Sequence, residues 1–474
     1  MKNMDTAHTD FAYSEAPLKR SLAQRHLMMM AIGGVIGPGY FVGMGTGLST
    51  AGPAGLLLCF AVVGVLLWAV MQCLGELGAF ISVSDNLGLV LTYWETPIPR
   101  WGWVLLFWCG FMAFAFLGVK SFGEAEFWLA LIKVLAVAAF FICAILITTG
   151  VIGGQKIGFS FYHDPGSFAD GAKGVFEIFV FASLQYSGTE MIGLTAGESE
   201  DPAKDIPKAV KSVLWRIVFI FLGGIFFLNL TVPYTDPNLL SATSKTARSP
   251  FVIAFSRVGA TAGAHAINAI IVITILSAVN SALYVGSRTL VGLASQKQAP
   301  AIFAKTTEGG VPIYALVTMN LVGFLSLLNL SSGAGHLYSW IVSMTGVATF
   351  ITWGCVCLSQ IRLRQALAKQ GVSTDVLPWK IRGQWIAWSG LAGNVFFVFF
   401  QGWTSFVPWN VENFFMNYIV VIIFLILVVA WKFCHKTRFV RSRDADLISH
   451  RRDILAVTVD TQHGIGSHAV DKSA

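Results

Sequence analysis

Charged side chains are what this sequence has least of: of 474 residues only 12% are Asp, Glu, Lys or Arg, against 55% hydrophobic. A soluble chain of this length carries about 25% charged residues. A water-facing surface cannot be built from the composition, so the chain is read as an integral membrane protein, in line with its mean hydropathy of +0.68. Paired cysteines are missing as well. Cys59, Cys73, Cys109, Cys143, Cys355, Cys357 and Cys434 lie nearly all inside apolar runs, with no CxxC pair and no disulfide framework. Residues 1–26 are polar, contain Asp5, Asp10 and Glu15, and lack an apolar core with a small-residue cleavage site, so the first span is expected to serve as the internal signal. No span carries paired His/Asp/Glu ligands or a nucleophile beside a base, and His265 and His336 stand alone at helix ends. That argues against a membrane-embedded enzyme, and neither a metal nor a cofactor is expected.

What the sequence has is long apolar runs. They suit helical spans of roughly 20 residues, whereas an outer-membrane barrel shows alternating segments of about ten. Hydropathy places spans near 27–48, 54–81, 101–118, 127–149, 174–196, 214–235, 264–285, 312–330, 337–358, 385–402 and 415–433. The chain thus divides into a tail at 1–26, a transmembrane domain at 27–433 and a second tail at 434–474. A net charge of +7 raises the question of nucleic acid, but the basic residues sit in tails and short loops, where membrane topology accounts for them better and no nucleic-acid partner is expected.

Orientation follows from those residues. From 197 onward, the stretches 197–213, 286–311, 359–384 and 434–474 hold 18 Lys and Arg, while 236–263, 331–336 and 403–414 hold 3. The C-terminal tail is expected to be cytoplasmic, and so is the N-terminal tail, with Lys2, Lys19, Arg20 and Arg25 against none in 49–53. Two termini on one side need an even number of crossings, yet eleven are found. The suspect interval is 82–100. Its apolar run, Leu87 to Trp94, covers only ~12 Å as a helix, far short of the ~30 Å hydrocarbon core.

Two spans are interrupted. Between Gly33 and Gly39 stand four glycines and Pro38, which break the backbone hydrogen-bond ladder in mid-membrane; this is tolerated where the freed groups face protein or a cavity. A second break falls at Tyr186, Ser187, Gly188, Thr189 and Glu190. Paired broken helices point to a transporter site, where half-helix N-termini bind an anionic group and unwound carbonyls bind cations. Small-xxx-small helix packing is the plainer alternative.

These stretches resemble the fungal amino-acid permeases of the amino acid–polyamine–organocation superfamily. The likeness is carried by HLMMMAIGGVIGPGYFVGMG at 26–45, GELGAF at 75–80, FGEAEFWLALIKV at 122–134, YSGTEMIGLTAGESEDPAKDIPKAVKSVLWRI at 186–217, SAVNSALYVGSR at 277–288 and FITWG at 350–354. The resemblance implies an all-α membrane protein with an inverted-repeat (LeuT-like, five-plus-five) transporter fold, here with about 11 spans instead of 12. It implies proton symport of amino acids across the plasma membrane by alternating access, with amino acid, protons and the lipid bilayer as partners. It places the substrate carboxylate on the first break (Val35, Gly37, Pro38, Gly39, Tyr40) and the ammonium on carbonyls of Gln185, Tyr186 and Ser187. Glu190 and Lys133 fall at proton-coupling positions, with Asn280 and Ser281 in support.

The residues leave alternatives beside each role. An ionisable group within a span costs at least ~2.5–3.5 kcal/mol, so it is usually paired, cavity-facing or functional. Glu190 could instead cap backbone or pair with Lys204 or Lys208. Lys133, six residues into its expected span and about 9 Å from its boundary, could snorkel to the interface. Asn280 and Ser281 could make ordinary interhelical hydrogen bonds. Glu76, Glu124 and Glu126 are expected to set loop packing and topology. Asn329 begins a glycosylation sequon that hugs a helix end.

Two departures from the family pattern stand out. Pro38 occupies a position where relatives commonly have Thr or Ser, which removes a hydroxyl and an N–H donor. The chain also runs from Ser84 to Asn86 where relatives have a loop and a full third helix, so roughly one ~20-residue span is expected to be absent. The alternative function is therefore a transport-dead splice or gene-model variant, at most a sensing or interaction protein.

Overall fold

The computed structural model describes residues 23–77, 100–192, 202–241, 249–323 and 334–445, less 31, 33–35, 117, 191, 296–297, 308–309, 375–376, 378–379, 382, 407, 435 and 438. The described residues form helices joined by turns, with no β-strand among them. Each expected span has a helical counterpart, although several ends move. The interval around 82–99, where the missing crossing is expected, lies outside the described residues, as do the tails through 22 and from 446 and the sequon at Asn329.

The first span is in two pieces. Helix α1 (Gln24–Met29) stops at Met30, and Ile36 and Gly37 are not helical. A π-helical turn, Gly39–Gly43, then leads into α2 (Met44–Leu77). The apolar stretch Gly39–Leu74 has 36 residues, and at 1.5 Å each it reaches ~54 Å, too long for one ~30 Å crossing. Gly52 divides it. Its φ of +76° is in the left-handed region, and a Cβ there would come within 2.6 Å of the Ala169 backbone nitrogen. Pro53 follows, contributing no N–H to a ladder that is already interrupted.

Next come α3 (Arg100–Ala115) and α4 (Val119–Thr148), the latter starting eight residues before the expected span because Lys120, Glu124 and Glu126 depress the local hydropathy. A short helix, Gly171–Glu177, precedes α5 (Phe179–Tyr186). Helix α6 (Pro202–Trp215) also starts earlier than hydropathy places it. Its first turns are amphipathic: Ile206, Ala209, Val210 and Val213, spaced i, i+3, i+4, i+7, are buried, while Lys204, Lys208 and Lys211 are exposed. A π-helical stretch, Arg216–Leu222, joins it to α7 (Gly223–Asn229). The rest is α8 (Pro250–Arg257), α9 (Thr261–Ser295), α10 (Ile313–Val322), α11 (Ala334–Lys369), α12 (Gln384–Phe400) and α13 (Val411–Cys434).

Helix α11 packs on α2, α5, α12 and α13, while α9 packs on α4, α8 and α10. At the centre, an aromatic cluster fills the space between the two interrupted spans. Tyr186 and Phe221 rings lie 4.5 Å apart, Tyr40 and Phe221 5.4 Å, and Phe60 and Tyr186 5.5 Å. Only 11% of the most apolar window of α13 is buried, leaving Leu425, Ile426, Leu427, Val429 and Phe433 exposed. An apolar face of that size has no stable place in water and marks the side turned to lipid.

Candidate functional site

The two breaks meet. A Cβ added to Gly39 would overlap the Gln185 side chain, and one on Gly43 would come within 2.8 Å of the Phe181 ring. Glycine at 39 is thus what lets the restart of the first span lie against the end of α5. That end is abrupt: Ser187 is extended (φ −58°, ψ 152°) and Gly188 has φ +87°. Of the residues expected at the substrate site, Gly39 meets Gln185 across this junction, while Val35 lies outside the described residues.

Not every backbone group there is available. Pro38 has no N–H, and the Tyr40 N–H donates to the Gly37 carbonyl at 3.1 Å. In the second break, the Tyr186 carbonyl accepts the Thr189 hydroxyl at 2.6 Å. The two tyrosine rings are buried braces, Tyr40 Oη donating to the Ile220 carbonyl at 2.9 Å and Tyr186 Oη to the Phe60 carbonyl at 3.1 Å.

Glu190 closes the second break and is only 2% exposed. It faces Trp353, whose indole N–H points at Oε2 from 3.5 Å, and the alternative partners Lys204 and Lys208 are solvent-facing. Beside it is Arg216, 1% exposed, which donates to the Thr189 hydroxyl at 2.5 Å. The chain Arg216–Thr189–Tyr186 carbonyl therefore fixes the turn that carries Glu190. Sequence reasoning missed Arg216. Its signal was the same as for Glu190 and Lys133, an ionisable residue inside an expected span.

A second buried polar cluster lies between α4 and α9. The Lys133 ammonium donates to Ser277 Oγ at 2.8 Å, Ser277 donates to Glu126 Oε1 at 2.5 Å, and ammonium and carboxylate are 3.6 Å apart. Glu126 and Lys133 are both 0% exposed. The expectation that Glu126 sets loop packing is corrected here: helix α4 begins early enough to carry Glu126 into the protein interior. Lys133 does not snorkel, for the same reason. Ser277 makes the bond to Lys133; of the residues expected to support it, Ser281 lies beside the Glu126 carboxylate, and Asn280 Nδ2 is buried with no hydrogen-bond partner among the described residues. Glu124 meets Arg25 and, at 3.1 Å, His26, tying α1 to α4. The side chain of Glu76 lies outside the described residues.

The amino acid permease family profile matches residues 26–87 and 86–443. This chain belongs to the amino acid permease family. It is 38% identical over 491 aligned positions to the general amino acid permease AGP3 of Saccharomyces cerevisiae, covering 95% of this chain and 88% of that one. It is 34% identical to the lysine-specific permease of the same yeast, over 94% of this chain and 80% of that one. The solved structure of Mhp1, a nucleobase-cation-symport-1 family transporter, overlaps 84% of this chain and 96% of that one with a TM-score of 0.39 and 11% identity, a likeness too slight to build on. The permease is thus an integral membrane protein of an amino-acid-transporting family. Its alignment with AGP3 is longer than its own 474 residues, so AGP3 carries residues that this chain lacks, and its profile match is split at 86–87.

Proposed function

We propose that this permease is a proton symporter that takes up amino acids across the plasma membrane by alternating access, on an inverted-repeat helical frame with both tails cytoplasmic. The observation that carries the reading is the abutment of two helix breaks inside the membrane, Gly39 against Gln185. Backbone broken at that depth is tolerated where it faces protein or lines a cavity. In this reading the first break gives N–H groups of Gly37 and Gly39 to a carboxylate, beside Val35, Pro38 and Tyr40; the second gives an ammonium the carbonyls of Gln185 and Ser187 and the lone pair of the Tyr186 carbonyl that the Thr189 hydroxyl does not occupy. Glu190 and Lys133 are ionisable groups hidden from water, the kind of residue that marks proton pathways in spans, with Asn280 and Ser281 beside the Lys133 cluster.

The test is uptake of a labelled amino-acid mixture by transport-deficient cells expressing the chain, at acidic and neutral external pH, with surface level measured in parallel. Proton symport gives uptake that rises as external pH falls. Uptake of equal size at both pH values would remove the coupling.

The split at 86–87 favours a second reading. A first repeat without its third crossing would have four helices, and an even unit cannot be the inverted partner of a five-helix one. In that reading the product reaches the membrane and does not transport. Sequencing the transcript across Ser84 and Asn86 separates a spliced form from a gene that lacks the segment.

A further inference from the structure

Glu126, Ser277 and Lys133 form a continuous hydrogen-bonded chain across the contact of α4 and α9, wholly shielded from solvent. Glu126 and Lys133 are two turns apart, so they project from one face of α4. The chain has an open end. Oγ of the neighbouring Ser281 is within reach of the Glu126 carboxylate but makes no well-formed hydrogen bond with it, and Asn280 Nδ2 has no hydrogen-bond partner among the described residues. Asn280 also lines a cavity of about 20 Å³ with Gly118, Phe122, Tyr284 and Arg288, room for one water. A structural ion pair in a dry site is usually satisfied on every lone pair, because each orphaned polar atom costs stability. Here the Glu126 carboxylate and Ser281 meet without a well-formed bond, and Asn280 Nδ2 is left unpaired at the edge of a water-sized space.

We propose that Glu126 shares the coupled proton with Lys133, and that Ser277 relays it between them. This rests on the proton-symport reading given above. In the relay the ammonium passes a proton to Ser277 Oγ as Ser277 passes its own to Glu126 Oε1. One N–H and one O–H bond break and two O–H bonds form, so the charged pair becomes an amine and a carboxylic acid with no proton gained or lost. A further proton arriving at the carboxylate from the side of Ser281 and Asn280 leaves the ammonium without its counter-charge, which a site closed to water does not tolerate. The packing of α4 on α9 therefore holds with one shared proton and loosens with two, giving proton binding a mechanical consequence. The other charged and titratable groups brought to α4 are Arg25 and His26 from α1, which meet Glu124, and His265, Tyr284 and Arg288 on α9, with the Arg288 guanidinium 4.3 Å from the Tyr284 ring centroid. Lys120, Glu124 and Cys143 are on α4 itself.

The test is the permease reconstituted in liposomes containing a pH dye, measuring uptake of labelled amino acids and acidification of the lumen together. Glu126→Gln is expected to lower protons moved per substrate at least tenfold. Glu126→Asp and Ser277→Ala, which keep the carboxylate, are expected to displace the pH of half-maximal uptake by about one unit, tenfold in proton activity. A purely structural pair would change the yield of folded protein and leave both quantities alone. Glu126→Gln with the unmodified protein's proton-to-substrate ratio, or Glu126→Asp and Ser277→Ala with its pH midpoint, overturns the proposal. If Glu126→Gln does not reconstitute, the other two variants decide. Unmodified protein that moves substrate without acidifying the lumen overturns proton symport itself, and this inference with it.

Discussion

At the scale of single residues, the permease keeps several ionisable side chains where water does not reach, each held by named neighbours. Glu190 lies at the second break under Trp353, and Lys133 is held by Ser277 and Glu126. Glu190→Gln and Lys133→Ala are expected to abolish the acid stimulation of uptake; surface level should stay within about twofold in Glu190→Gln and fall further in Lys133→Ala, which strips the buried Glu126 carboxylate of its counter-charge. Uptake at several external pH values, with surface labelling, checks this. Tyr40 makes a different kind of contribution. Its hydroxyl is bonded to the Ile220 carbonyl, and its ring packs on Phe41, Phe221 and Phe251. Tyr40→Phe keeps the packing and removes one of two bonds to a buried carbonyl, which still accepts the Gly223 N–H, so it should cost about 0.5–1.5 kcal/mol, read as a lower melting temperature in detergent.

At the scale of elements, glycine and proline decide where helices stop. Gly39→Val would push the restart of the first span off α5 and is expected to remove uptake at normal surface level, because the change falls on the junction and not on the lipid-facing surface. Gly52→Ala forces a Cβ into the left-handed region at about 1–2 kcal/mol and against the backbone of Phe168 and Ala169, so thermal unfolding should show it as the more destabilising of the two. Pro38→Thr restores an N–H and a hydroxyl at the first break, and is expected to raise uptake if that break binds a carboxylate. Both breaks were legible in the sequence, since Gly, Pro and Ser clustered inside an apolar run interrupt its helix. So were the apolar spans. The early starts of α4 and α6 were not, because Glu124, Glu126, Lys204 and Lys208 pull a hydropathy window down whether their side chains face water or the interior. The same blindness hid Glu126 as a buried acid. Arg216 was missed for the converse reason: it sits at the edge of an apolar run, where a basic residue reads as a topology marker, and only the fold brings it to Thr189.

At the scale of the whole molecule, the open question is how a chain with an odd number of legible spans is threaded. The family profile match is split at 86–87 and AGP3 carries residues that this chain lacks, and the proposed topology has the C-terminal tail in the cytoplasm, as the charge balance from 197 onward predicts. If the segment before α3 completes a crossing by rearranging, epitope tags on both tails will be reached by antibody only after permeabilisation. If it does not, one tag will be accessible on intact cells, and the two halves of the fold cannot both have the family's orientation. Transport is the central claim, so the most direct measurement is uptake of a labelled amino-acid mixture at an acidic and a neutral external pH about two units apart, on the order of a hundredfold in proton activity, with surface level measured in the same cells. The expected result is uptake that is clearly higher at the acid value. No uptake at either pH, with normal surface level, would contradict the claim and leave a permease by descent that does not transport.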